Sequence, residues 1–331
     1  MDVAHAAGVS QATVSLVLSG KAAGRISETT AAEVRRVARE LGYRPNAAAR
    51  ALRSGSASAV GLVVSDVTHP FFGRTLRGAQ RAAWEAGHVV VLIDDAYGAA
   101  WGDGSIEALR DGAIDGFLFF AATPPASLQA PGAPPVVVVE ARTERFPHVV
   151  LDVDAGTDDV LEHLDALGHT RIGYYRSAIS GETFDRRLAR WTAHLRAHGV
   201  DPDAVATGAG RFSAPEAIAG AHDLLDRLGD TTAVICDDDV LASGLSTAAR
   251  ERGIAVPEQL SIAGFDDLDL ALYATPPLTT VRGNPESLGA AAFEVLLARI
   301  QSDERPENRT IPVELVVRGS TGPAPARAPH G

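Results

Sequence analysis

Between Ala7 and Leu18 the chain reads AGVSQATVSLVL, which sets the hydroxyl and amide side chains of Ser10, Gln11, Thr13 and Ser15 on a short helical period. Such groups exchange hydrogen bonds, and no nucleophile–base pair accompanies them, so the chemistry on offer is recognition. Gly8 can take the positive φ that a tight turn needs. Ser10 is a good N-cap, its hydroxyl accepting from the N–H of Thr13. Val14, Val17 and Leu18 repeat at i, i+3, i+4 and bury one face, which leaves Gln11, Ala12, Ser15 and Leu16 on the other face or its edge. Val3, Ala4 and Ala7 form an apolar stripe ahead of the turn. Two short helices joined by a Gly turn make a helix-turn-helix, whose second helix is built to enter a DNA major groove. The same spacing also fits the first hairpin of an ordinary globular domain, so the residues that follow must decide.

Motifs for bond-breaking chemistry are missing. The single lysine, Lys21, precedes Ala22, so there is no P-loop; no GxSxG elbow and no HExxH occur. Gly208-Ala209-Gly210 lacks the third glycine of a dinucleotide fingerprint and a helix at the right spacing. His194 and His198 stand at i, i+4 and could face a metal, but no acidic or third His ligand shares their helical spacing, so they read as a solvated helix face. Asp237, Asp238 and Asp239 are adjacent at a helix start and point in different directions, a poor arrangement for one ion. The expectation is no catalytic residue, no metal, no cofactor and no enzyme.

These side chains need a frame. At 331 residues the chain has room for two domains, and 46% hydrophobic with 22% charged residues is ordinary for a globular protein. One cysteine, Cys236, excludes an intrachain disulfide and fits a reducing compartment. The N-terminus lacks a signal-peptide pattern and the longest apolar runs, such as Val136–Val139, are strand-length, so a cytoplasmic protein without a membrane partner is expected. The net charge of −12 is uneven: residues 1–58 hold eight basic and four acidic side chains, leaving −16 on the remainder. A basic head on an acidic body is the asymmetry expected when only the head meets phosphates.

Along the chain, Ser27 can cap a helix to about Leu41, with Gly42 and Pro45 as stop signals, and Val9, Val14, Val17, Val34 and Val37 should stack as the core of the head. Residues 46–53 are helix-prone and 54–58 read as a flexible linker. From Ala59 the pattern alternates between strands and helices. The predicted strands are 60–64, 89–93, 117–120, 136–139, 171–175, 233–236, 260–263 and 313–317. The predicted helices are 76–86, 106–110, 160–167, 184–198, 215–228, 240–252 and 288–300, and 96–104 is expected to be a loop. Continuous Val/Leu/Ile runs point to parallel strands covered on both faces. The fold class expected is a small all-α helix-turn-helix head plus an α/β body of two doubly wound parallel-sheet subdomains.

The combination resembles the lactose-repressor/galactose-repressor (LacI/GalR) family of transcriptional regulators. The resemblance runs from Asp2 to about Pro323. It rests on Asp2-Val3-Ala4, Ala7-Gly8-Val9-Ser10, Thr13-Val14-Ser15 and Leu41-Gly42-Tyr43-Arg44-Pro45-Asn46, then on Glu162-His163-Leu164, Leu167-Gly168-His169, Gly264-Phe265-Asp266-Asp267 and Pro277-Leu278-Thr279-Thr280-Val281. It implies a helix-turn-helix domain at 1–45, a hinge helix and linker at 46–58, and an effector-binding and dimerisation domain at 59–322. The last would hold two periplasmic-binding-protein-like subdomains, 59–155 with 283–312 and 156–282 with 313–322, before a disordered tail, 323–331. It further implies a repressor that binds a pseudo-palindromic operator as a homodimer, associated with the nucleoid. In this family Gln11, Ala12 and Leu16 take the base-reading positions, while Ser10, Thr13, Ser15 and Asn46 approach the backbone. The segment with Ala49 and Arg50 would fold on the operator, and Leu52 would wedge into the minor groove.

Ligands of open α/β sheets sit beyond the carboxyl ends of the strands. There the chain offers Asp66, Phe71, Phe72, Arg187, Phe212, Asp238 and Asp266, whose carboxylates and guanidinium suit vicinal hydroxyls and whose rings suit the apolar side of a sugar. Asp238 can equally serve as the N-cap of the helix after it, and His69 is not expected to touch the ligand. The implied effector is a sugar, with a purine or nucleoside as the alternative; a sugar-binding module without DNA binding is the alternative from another class. Several residues depart from the family pattern: Leu16 stands where Arg is common, Asp238 where Asn is usual, Arg190 where Gly is common, and Tyr175-Arg176-Ser177-Ala178 replaces a Gly-Pro loop. Met1 falls inside the first turn of helix one, from which the natural start is expected upstream.

Overall fold

Gly8 adopts φ +63° with open space around the position of a Cβ, so the turn requires glycine for its backbone conformation alone. The computed structural model that shows this describes residues 3–18, 22, 26–41, 59–95, 106, 109 and 114–325, without the side chains of 15, 18 and 39. The chain divides into two compact units, 1–58 and 59–331.

In the first unit, helices Val3–Ala6, Gln11–Leu18 and Glu28–Glu40 enclose one small core. Val3, Ala4, Val14, Val17, Ala31, Val34, Val37 and Ala38 are buried in it, with Ala7, Val9 and Ile26 packed at its edge. Ser10 Oγ accepts from the Thr13 N–H at 3.1 Å, and Ser27 Oγ accepts from the Thr30 N–H at 3.2 Å, so both expected N-caps are formed.

The second unit holds two six-stranded sheets. The first takes β1 (Ala59–Val64), β2 (Val89–Asp94), β3 (Gly116–Phe120), β4 (Val136–Val139), β5 (His148–Leu151) and β11 (Arg309–Ile311). Its order is β11-β5-β4-β3-β1-β2 and every pairing is parallel. The second takes β6 (Ile172–Ser177), β7 (Thr207–Gly210), β8 (Ala233–Cys236), β9 (Ser261–Phe265), β10 (Thr279–Arg282) and β12 (Glu314–Val316). Its order is β12-β10-β9-β8-β6-β7, with only β12 antiparallel to its neighbour. The chain crosses between the sheets after β5, after β10 and after β11. Strands β1, β3, β4 and β8 are buried along their whole length, which is why they read as unbroken apolar runs; β9 is equally buried but opens on Ser261.

Sequence expectations fail where an element is at an edge or short. β2 alternates between exposed and covered residues, because it ends its sheet and has a neighbour on one side only. β5, β7, β10 and β11 are not among the predicted strands: they have three or four residues each, and β7 is Thr-Gly-Ala-Gly, with little β propensity. The glycines of β7 answer to packing, since a Cβ at Gly208 would collide with Leu224 and one at Gly210 with the Tyr175 hydroxyl. Helix Pro70–Glu85 begins six residues before its predicted start, capped by His69, whose Nδ1 accepts from the Phe71 N–H at 3.3 Å. Helix Val153–Ala166 likewise begins earlier, at the cap supplied by Asp152. A short helix, Asp269–Tyr273, was missed. Ile106 and Leu109 are helical, while the expected loop at 96–104 and the expected hinge and linker at 46–58 lie outside the described residues.

Candidate functional site

In the first unit, the exposed face of Gln11–Leu18 carries Ser10, Gln11 and Ala12; Thr13 and Leu16 are half-buried, and Val14 and Val17 face the core. The Ser10 and Thr13 hydroxyls lie 3.0 Å apart and satisfy each other. Ser15 is helical, its side chain outside the described set, and Asn46, Ala49, Arg50 and Leu52 lie outside the described residues altogether. Part of the basic charge counted for the head is already engaged. Arg36 pairs with Glu33 and Glu40 and Arg35 with Glu28, along one helix.

In the second unit, the loops beyond the carboxyl ends of the strands surround a cavity of about 130 Å³. All seven residues expected at a ligand site, Asp66, Phe71, Phe72, Arg187, Phe212, Asp238 and Asp266, line it. They come from both sheets: Asp66 follows β1, Asp238 follows β8 and Asp266 follows β9. Backbone strain gathers here as well. Of the five non-glycine residues at positive φ among those described, Ala121, Glu140 and Asp266 line the cavity.

Arg187 is buried at 4% exposure, reaching down from helix Glu182–Ala197. Its Nη1 donates to the Asp237 carbonyl at 2.5 Å, and its guanidinium carbon lies 3.4 Å from the centre of the Phe265 ring, a cation–π stack. Its Nε is buried without a hydrogen-bond partner among the described residues, leaving one donor available for an acceptor.

The three consecutive aspartates do diverge. Asp237 accepts from the Tyr174 hydroxyl and from the Ser177 N–H, each at 2.6 Å, tying β8 to β6. Asp239 accepts from the Thr280 hydroxyl at 2.6 Å and the Leu268 N–H at 2.7 Å. Asp238 caps helix Asp239–Glu251 through the N–H groups of Val240 and Leu241, and its second oxygen receives His69 Nε2 at 2.9 Å. The capping reading of Asp238 and its place at the cavity therefore both hold.

Charge at the cavity is shifted by burial. Asp266 is raised to about 8, by desolvation first and by neighbouring Asp238 second, with Arg187 and His69 opposing. Glu140 is raised by burial, although its Oε1 accepts from the Leu151 N–H at 2.6 Å. Desolvation works against charging His69, but the Asp238 hydrogen bond and the Asp238, Asp266 and Asp66 charges outweigh it, so its pKa is raised.

Two ionisable lining residues, Glu140 and His69, lie outside the expected set. Glu140 is the first polar residue after the apolar run of β4, a position that a search of strand ends can find. His69, not expected to touch the ligand, lines the cavity because capping helix Pro70–Glu85 turns its ring toward Asp238.

The model for bacterial regulatory proteins of the lacI family matches residues 1–46, and that for a periplasmic binding protein-like domain matches residues 161–321. The HTH-type transcriptional repressor CytR of Escherichia coli (strain K12) is 33% identical, over 98% of this chain and 96% of its own. Among solved structures, the lac repressor dimer bound to operator and the anti-inducer ONPF aligns with a TM-score of 0.85 at 27% identity, covering 97% of this chain and 98% of that one. The transcriptional regulator CelR in complex with cellobiose aligns with a TM-score of 0.73 at 28% identity, over 96% and 98% of the two chains.

Proposed function

This chain belongs to the lacI family of bacterial regulatory proteins, and we propose that it is a repressor whose hold on its operator is set by a sugar bound between the two sheets of its body. The observation that carries the reading is the cavity at the strand ends, where buried carboxyl groups, one buried guanidinium with a spare donor and several phenyl rings converge. Hydroxyl pairs are what such groups bind: a carboxylate accepts from them, a guanidinium donates to them, and a phenyl face covers the C–H side of the ring. Asp66, Asp238, Asp266 and Arg187 are assigned the hydroxyls, and Phe71, Phe72 and Phe212 the apolar side. The complex of CelR with cellobiose supports a sugar as the first class to test.

Operator recognition is assigned to the head. Gln11, Ala12 and Leu16 would read base edges, and Ser10, Thr13, Ser15 and Asn46 would position the helix on the phosphates. The segment with Ala49, Arg50 and Leu52 would complete the contact in the minor groove. Two heads on a homodimer would read a pseudo-palindrome, and ligand would act by favouring one arrangement of the two subdomains over the other. The assigned limits are 1–45 for the head, 46–58 for the hinge and 59–322 for the body. We place the protein in the cytoplasm; among the described residues no helix is long and apolar enough to cross a membrane. The relatives are regulators, and a non-enzymatic role is assigned to this chain with them.

The test is a gel-shift series on the full chain with palindromic genomic fragments, at two salt concentrations, with and without candidate sugars and nucleosides. Salt-sensitive, sequence-selective binding altered by a sugar is expected. Absence of preference for any palindromic site would overturn the DNA-binding role, and a response to nucleosides alone would overturn the sugar.

A further inference from the structure

Helices Val153–Ala166 and Glu182–Ala197 lie side by side on the second sheet, joined by a ladder of charged pairs. Asp154 pairs with Arg186, and Asp158 pairs with Arg190. At the third rung the pattern changes, and Asp165 meets two imidazoles in place of a guanidinium. His194 Nε2 lies 3.3 Å from Asp165 Oδ1, and His198 Nε2 lies 3.6 Å from Asp165 Oδ2. The acidic partner that the His194–His198 spacing lacks along its own helix is thus supplied by the neighbouring one.

The tautomer decides what this rung is for. His198 Nδ1 is 2.9 Å from the His194 carbonyl, which can only accept, so Nδ1 carries the hydrogen. In the neutral ring the Nε2 lone pair then faces an anionic carboxylate oxygen, and either a proton on Nε2 or a metal cation between them turns that repulsion into attraction. Metal-binding histidines characteristically donate their second ring nitrogen to a backbone carbonyl in this manner. The two rings are 4.3 Å apart at 33°, and both Nε2 atoms reach the same carboxylate. One atom from each of the three side chains falls within 4.8 Å of the other two. All three remain open to solvent, with side-chain exposures of 32% for Asp165, 16% for His194 and 52% for His198. The nearest guanidinium in the ladder, Arg190, is committed to Asp158.

The geometry points to a binding site for a divalent transition metal of the Zn²⁺ class, held by Asp165, His194 Nε2 and His198 Nε2 with water completing the shell. Two imidazoles and one carboxylate form the nitrogen–oxygen donor set that such ions prefer over Mg²⁺ or Ca²⁺. The ion would staple the two helices at the end opposite Phe184 and Arg187, which line the cavity from the first turns of Glu182–Ala197. The other three-ligand cluster among the described residues, His69, Asp238 and Asp266, does not compete on equal terms. There Asp238 is already occupied by helix-cap and His69 hydrogen bonds, and the Arg187 cation opposes a second positive charge.

The experiment titrates Co²⁺ into the untagged, chelator-treated full chain and follows the visible absorption of a low-symmetry Co²⁺ site, then displaces it with Zn²⁺. One equivalent should saturate the signal and Zn²⁺ should bleach it. His194→Gln, His198→Gln and Asp165→Asn should each weaken binding by more than the roughly 10- to 100-fold that even an outer-sphere partner is worth. His222→Gln, on a different helix beside Glu251, should leave the titration unchanged. Circular dichroism of each variant, unchanged from wild type, keeps folding out of the comparison. No saturable signal at one equivalent, or a signal that survives in the His194→Gln/His198→Gln double variant, overturns the site.

Discussion

His69 Nε2 and Asp238 Oδ2 are 2.9 Å apart, and this one hydrogen bond joins the N-terminal caps of two helices packed on different sheets. His69 accepts from Phe71 N–H at the start of Pro70–Glu85, while Asp238 accepts from Val240 and Leu241 at the start of Asp239–Glu251. Further pairs cross the same cleft, among them an exposed one between Arg74 and Asp269 at 3.5 Å. The Arg142 N–H donates to Glu182 Oε2 at 2.5 Å, and Arg74 donates to the Asp267 carbonyl at 3.1 Å. His69–Asp238 is the buried one, at 8% and 2% side-chain exposure, so its loss cannot be repaired by water as readily.

A double-mutant cycle with His69→Ala and Asp238→Asn should therefore give a coupling of about 0.5–3 kcal/mol in urea unfolding of the body. Asn keeps the cap, so the cycle isolates the contact across the cleft. The His69 pKa is raised above its ordinary 6.5, so the charge-assisted part of the contact is complete below that value and fades as pH rises through the higher folded one, leaving the neutral ring that donates to Asp238 and accepts from the Phe71 N–H. A coupling that grows from pH 6 to pH 9 would contradict the assignment.

Asp266 gives the second pH test. Its folded pKa is raised from 3.8 to about 8, so between these values the native state holds a proton that the unfolded chain has released. Stability must then fall as pH rises through that window, by at most about 1.4 kcal/mol per pH unit from this group. Unfolding at pH 5.5 and 7.5 should show a steeper decline in wild type than in Asp266→Asn. Parallel profiles for the two proteins would rule out a neutral Asp266.

Arg187 tests the cavity directly. Arg187→Met keeps much of the packing on Phe265 but removes the donors, so sugar affinity should drop roughly 10- to 150-fold, the worth of a charged hydrogen bond. Thermal-shift titration reads this, since a ligand of the native state raises the melting point by mass action. Operator binding by the same variant should persist and need correspondingly more sugar to respond.

The head offers two small, separable effects. Ser10→Ala should cost about 1 kcal/mol by removing the acceptor for the Thr13 N–H. Gly8→Ala should cost about 1–2 kcal/mol, wholly from φ +63°, because a methyl group there meets nothing within 4 Å. Hydrogen exchange on helix Gln11–Leu18 distinguishes these from changes elsewhere.

The parts of this molecule that were legible in the sequence are those fixed by local rules. Gly8, Ser10 and Ser27 announce a turn and two caps that depend only on neighbours a few residues away, and β1, β3 and β4 announce themselves by being buried on both faces. The cavity was legible in part, because the strand-end rule locates Asp66, Asp238 and Asp266 without knowing the fold in detail. Glu140 and the orientation of His69 were not, since they depend on a strained backbone and on a helix that starts earlier than its apolar period. Asp165 could not be associated with His194 and His198 at all from spacing: the three meet only because two helices pack side by side. Edge strands failed for a related reason. Thr207–Gly210 and Arg309–Ile311 are strands because a neighbour pairs with them, while their own composition is indifferent.

The last of the three crossings has a consequence for how the protein is made. β11 and β12 are separated only by Pro312 and Val313, and each is the end strand of a different sheet. On a ribosome, neither sheet can close its outermost ladder until residues 309–316 have emerged, even though β1–β5 left the tunnel more than 150 residues earlier. Both lobes therefore mature together, late in translation, and a nonsense codon just ahead of Arg309 would strip an edge from each of them at once.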